Sequence, residues 1–167
     1  MSNSNIFKDS DIQAISLSDT DTDVWNSNPQ FVGQLTVQAE HLDEFEHTNN
    51  TIYLAWMQAI AALHSSQLGL TFQDFVELGY GCVARTHHME YKRPTFEGDT
   101  LWIATWISHN EGKADMTRQY QFVRASDRAT VMLGHTQWVC IDMKTGRPKK
   151  QPPRFVEAYR AVTTVAE

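Results

Sequence analysis

A regular alternation of apolar and polar positions begins at Phe31. In FVGQLTVQAE, Phe31, Leu35, Val37 and Ala39 fall on one side of a two-residue period, with Gly33 in the gap, which predicts a half-buried strand. The polar stretch HLDEFEHTNN then predicts a loop whose two asparagines suit a helix N-cap. From Thr51 the period lengthens. Tyr53, Trp56, Met57, Ile60, Leu63 and Leu68 share one side of a helix that ends at Gly69, while Gln58, Ala62 and Ser65 lie off it. Its small apolar centre, AWMQAIAAL, predicts burial against a sheet. TFQDFVELGYG reads as a linker. Four strand-like runs follow: Cys82–Arg93, stopped by Pro94 and the turn Glu97-Gly98-Asp99, then Leu101–Ser108, Ala114–Arg124 and Thr130–Ile141. Short turns between neighbours predict an antiparallel meander. A short helix is expected in residues 154–163.

The order strand, long helix, four antiparallel strands predicts an α+β fold with one helix on a sheet of about five strands. A single helix leaves the other face and the edges bare, so a homodimer or homotetramer is expected. Residues 1–30 break the pattern. They are rich in Ser, Asn and Asp and predict a flexible acidic extension before a domain at 31–167, with Ile15, Leu17 and Trp25 as possible anchor points. Removing residues 1–28 is expected to leave the chemistry intact.

Charge and composition narrow the partners. The net charge of −6 argues against nucleic acid. No apolar run approaches the ~20 residues of a membrane span, and the N-terminus lacks the pattern of a signal peptide. The two cysteines, Cys82 and Cys140, lie far apart and suit a reducing compartment, so a cytoplasmic protein is expected. One cationic stretch stands out: Lys144, Arg147, Lys149, Lys150 and Arg154.

VQAEHLDEFEHTNNTIYLAWM resembles the signature of 4-hydroxybenzoyl-CoA-type acyl-CoA thioesterases of the hotdog fold. In that signature a strand ends at an aspartate, a His-x-Asn-Asn follows, and the helix opens with Tyr-Leu-x-Trp. Asp43 falls on the family's catalytic aspartate, His47, Asn49 and Asn50 on the next element, and Tyr53, Leu54 and Trp56 on the helix start. MEYKRPTFEGDTLWI and WVCIDMKTGRPKKQPP are similar to later parts of the family pattern, so the resemblance runs from residue 31 to about 155. Glu46, Thr48 and His41 depart from the usual residues. The resemblance implies thioester hydrolysis without a metal or other cofactor, in active sites at a subunit interface.

A carboxylate beside a helix N-terminus suits that chemistry. Asp43 can take a proton from water or attack the carbonyl itself, with His47 as shuttle or orienter. Unpaired N–H groups near Asn50 and Thr51 suit an oxyanion; Asn49 and Tyr53 complete the candidate substrate contacts. Arg147, Lys149 and Lys150 are candidates for the CoA phosphates. An acyl-ACP thioesterase, a hotdog enoyl-CoA hydratase and a non-catalytic acyl-CoA-binding module are the alternatives. The hydratase pattern needs an Asn where Phe45 stands.

Overall fold

The computed structural model describes residues 11–162. Six strands form one antiparallel sheet: β1 (Gln13–Ile15), β2 (Phe31–Thr36), β3 (Tyr80–Tyr91), β4 (Thr100–Asn110), β5 (Asp115–Arg124) and β6 (Ala129–Asp142). Their order across the sheet is β1-β2-β4-β5-β6-β3. The helix α1 (Asn50–Gln67) lies on one face, with α2 (Phe72–Leu78) and α3 (Pro153–Ala158) beyond its C-terminal end. Among the described residues no helix is long and apolar enough to cross a membrane.

The two-residue period along the strands decides which side chains meet α1. Leu101 and Ile103 of β4, Tyr120 and Phe122 of β5 and Met132 of β6 pack with Tyr53, Trp56, Met57 and Ile60 of the helix. Of the apolar face read from the helical period, Tyr53, Trp56, Met57 and Ile60 are buried and Leu63 and Leu68 half-buried, while Ala61 and His64 complete the buried side. Asn49 caps α1 through a side-chain bond from Thr51 N–H, and Gly69, at φ +74°, follows its last turn.

Three expectations change. The linker after Gly69 contains α2, whose start is a capping box: Thr71 Oγ1 takes the Asp74 N–H while the Asp74 carboxylate takes the Thr71 N–H. The strands are not a simple meander either. β4, β5 and β6 follow one another, but β3 pairs with β6 at the far edge. A connection through residues 92–99 is too long for a tight hairpin. It crosses the end of the sheet, pinned by buried Thr95, and delivers β4 next to β2.

The third correction concerns residues 11–30, which pack on the domain. Gln13–Ile15 pair with β2 in a sixth strand, and Trp25 is buried against Val32, Ala104, Trp106 and Val123 on the face opposite α1. Ile15 and Leu17 pack on the same cluster, so all three anticipated anchors are used. Arg128 forms ion pairs with Asp21 and Asp23. Part of the bare face is thus covered by the chain's own N-terminal segment, because its few large apolar side chains find a matching strip of β2, β4 and β5. Residues 1–10 of the expected extension lie outside the described residues.

Candidate active site

Asp43 sits in a tight reversal between β2 and α1. Leu42 bridges Thr48. Inside that bridge, Asp43 N–H donates to His47 O at 2.8 Å, and Glu46 N–H returns to Asp43 O at 3.0 Å. The turn forces Glu46 to φ +60°, in the left-handed region that costs a side-chain-bearing residue about 1 kcal/mol or more. Asp43 Oδ1 accepts the Phe45 N–H at 2.9 Å. Among the described residues Oδ2 has no hydrogen-bond partner, and the half-buried side chain leaves it open to water. His47 is exposed and meets Phe96 edge-on at 5.3 Å between ring centroids. The reversal thus makes Asp43 and His47 backbone partners.

The helix start follows at once. Asn49 N–H donates to His41 O, while Asn49 Oδ1 accepts both the amide and the hydroxyl of Thr51, at 2.9 and 2.8 Å. The cap therefore consumes the Thr51 amide, one of two donors expected to be free. The Asn50 amide finds no acceptor among the described residues. It lies in the first turn of an 18-residue helix, where the aligned peptide dipoles favour negative charge. Tyr53 stands apart. Its ring is buried and its hydroxyl lies 2.7 Å from Thr95 Oγ1, itself 2.6 Å from Thr48 Oγ1. That buried chain clamps the 92–99 connection to the helix start, and burial raises the Tyr53 phenol above its ordinary pKa.

The basic run is exposed but lies far from this corner. Asp43 sits beyond the C-terminal end of β3, where Tyr91 Oη donates to Asn50 O. The residues after β6 adjoin the N-terminal end, since Tyr80 pairs with Asp142. Twelve residues of strand separate the two ends, roughly 35 Å. Lys149 is already held by Asp142 at 3.1 Å and lies over the Tyr80 ring. The side chains of Arg147 and Lys150 make no such pair among the described residues.

A cavity of about 630 Å³ flanks α1. Its walls run along the helix from Ile52 to Ser66, and at the far end they include Leu70, Phe75, Cys82, Arg118, Trp138 and Tyr159. Arg118 is the unexpected member, 1% exposed in mid-strand. Its Nη1 donates to His64 Nδ1 at 2.8 Å and to Thr105 Oγ1 at 3.2 Å. Burial, with Arg118 beside it, holds the His64 imidazole down at about 3 and so neutral. His64 is a buried core histidine. Arg118 went unread, although a signal exists: it occupies an inward position between Met116 and Tyr120, where the alternation calls for an apolar residue.

Asp11, Glu40 and His41 gather beside the start of α1, where Asn49 N–H meets His41 O, and Asp11 and His41 also line the cavity. His41 Nδ1 accepts the Gln38 N–H at 2.9 Å, so Nε2 carries the proton and faces Asp11 at 3.3 Å. The trio reads as a tether for the N-terminal segment.

One long helix laid on a six-stranded antiparallel sheet defines the hotdog fold. The family model of the thioesterase-like superfamily matches residues 37–159, and the chain belongs to that superfamily. It is similar to the long-chain acyl-CoA thioesterase FadM of Escherichia coli, 27% identical over 112 residues that cover 67% of this chain and 83% of the relative. Two solved structures share the fold. The 1,4-dihydroxy-2-naphthoyl-CoA thioesterase Slr0204 of Synechocystis superposes with a TM-score of 0.70 at 16% identity, covering 77% of this chain and 94% of that one. Protein SAV2348 of Staphylococcus aureus, solved in complex with CoA, superposes with a TM-score of 0.75 at 17% identity, covering 84% and 90%.

Proposed function

We propose that the chain hydrolyses an acyl-CoA at the β2–α1 corner, with Asp43 as general base. The observation that carries this is the pairing of an unengaged carboxylate oxygen with the open Asn50 amide at a helix start. Water loses a proton to Asp43 as it adds to the thioester carbonyl, the oxyanion forms facing Asn50 N–H, and the C–S bond then breaks. CoA leaves as a thiolate, which needs little help from an acid because a thiol pKa is only ~8.5. His47, next to Asp43 across the reversal, can carry the proton onward. Asp43→Asn and Asp43→Ala should fold with an unchanged melting temperature and lose at least about 10²-fold in kcat on an acyl-CoA panel. Near-normal turnover in either variant would move the role to His47.

The exposed edge of β3 supports a homodimer. Cys140 sends its N–H to Ala114 O and accepts Lys149 N–H, so it makes no backbone bond to Cys82 opposite. Cys82 and, by alternation, Ala84 turn their backbone groups to the free edge. Two β3 edges joined by a two-fold axis run antiparallel, which carries one copy's basic run to the other copy's Asp43 corner. Arg147 and Lys150 then serve the CoA phosphates of the neighbouring site, which they cannot reach in their own chain. Two free cysteines fit the cytoplasm as the place of action.

A further inference from the structure

The polar end of the cavity beside α1 is built of donors without an anion. Arg118 makes no ion pair with any described residue, and only its Nη1 is hydrogen-bonded. His64 is neutral and supplies no counter-charge. The Tyr159 ring lies 5.8 Å from the guanidinium carbon, with its hydroxyl 2.8 Å from Ser65 Oγ. Trp138 Nε1, on the same wall, is buried beside the Tyr120 hydroxyl, and the two atoms fall just short of a hydrogen bond. A guanidinium stays protonated even when desolvated. An unpaired buried charge costs several kcal/mol and is rarely kept without an anion to answer it.

Resting on the thioesterase reading, we propose that Arg118 receives a carboxylate at the far end of the acyl group. The substrate class is then the CoA monothioester of a long dicarboxylic acid. The free Nε–Nη2 edge of a guanidinium matches the two oxygens of one carboxylate, and the indole N–H of Trp138 stands on the same wall. The rest of the cavity, along Ile52, Ala55, Ala59 and Ala62 of the helix, suits methylenes, with Asp11 and His41 also on its wall. The geometry sets the length. From Ile52, beside the reaction corner, to Ser66 the helix rises ~21 Å, so a long chain is needed to join the two ends.

The test compares two thioesters of equal chain length, hexadecanoyl-CoA and the monothioester of hexadecanedioic acid, on the full-length protein and on Arg118→Met. The diacid thioester should have the higher kcat/KM by about tenfold or more, mainly through KM, and the variant should bring the ratio to one or below. Equal or better turnover of hexadecanoyl-CoA by the unaltered protein overturns the proposal. So does a variant that slows both substrates by one factor. Calorimetry with free hexadecanedioic and hexadecanoic acids separates this site from the thioesterase reading. If neither thioester is cleaved, that reading fails, while a tenfold preference for the diacid still supports the Arg118 site and equal binding overturns it. Should Arg118→Met not fold, the comparison on the unaltered protein decides alone.

Discussion

His64 shows how one buried base ties stability to acidity. In the folded chain its pKa is held down at about 3, while an unfolded histidine titrates near its ordinary 6.5. Below pH 6.5 the unfolded chain therefore binds a proton that the folded chain refuses, and stability falls as the pH drops toward 3. On this group alone the loss between pH 7.5 and pH 5 comes to about 2 kcal/mol. Denaturant unfolding at the two pH values measures it. In His64→Gln, whose amide oxygen can still accept from Arg118, that part of the pH dependence should vanish; an unchanged slope would place the titration elsewhere.

Among the elements, the N-terminal segment behaves least like its composition. Its polar residues suggest a solvated tail, yet Ile12 and Trp25 are buried, and Trp25 Nε1 donates to Thr20 Oγ1 at 3.1 Å. Ile12 also sits where a side chain at position 33 would be, since a Cβ on Gly33 would fall 2.4 Å from Ile12 Cγ2. The pairing of β1 with β2 thus depends on a residue that has no side chain. Trp25→Ala should cost about 3 kcal/mol, read as a lower denaturation midpoint with an unchanged slope. Beginning the chain at residue 29 should destabilise it further, since β1 goes as well. A truncated protein of full stability would return residues 11–28 to the role of a dispensable tail.

At the scale of the whole molecule the edge of β3 decides most. A proline at position 84 removes a backbone N–H that points away from β6, so it should spare the sheet of one copy and block its pairing with a second. Light scattering should then show Ala84→Pro as a monomer, with KM for an acyl-CoA raised severalfold because each site lacks its neighbour's cations. A stable dimer in this variant would place the interface elsewhere. The double substitution Arg147→Gln with Lys150→Gln should raise KM for an acyl-CoA severalfold and leave kcat nearly unchanged. That effect should shrink with added salt and disappear on an acyl-N-acetylcysteamine, which has no nucleotide. Equal losses on both substrates would remove these residues from the CoA site.

Local physics wrote part of this protein directly into its residues. The switch from a two-residue to a 3.6-residue period after Asn50 marks α1 and its buried face, because side chains three and four apart share one side of a helix. The alternation after residue 100 marks the strands to within a residue or two, and the Asp43 motif identifies the corner and its family. The capping box at Thr71–Asp74 is equally legible, since a Thr followed three residues later by an Asp can satisfy both N-terminal amides of a short helix. Other features appear only once distant parts of the chain meet. Periodicity says which way a side chain points, but not which strand lies alongside; the place of β3 beside β6 follows from the long crossing through Thr95. The docking of Trp25, the consumption of the Thr51 amide by its cap and the burial of Arg118 likewise depend on partners remote in sequence or on local geometry that composition does not describe. The separation of the basic run from Asp43 by the length of β3 is of the same kind, since distance in space is decided by how strands pair and not by their spacing along the chain.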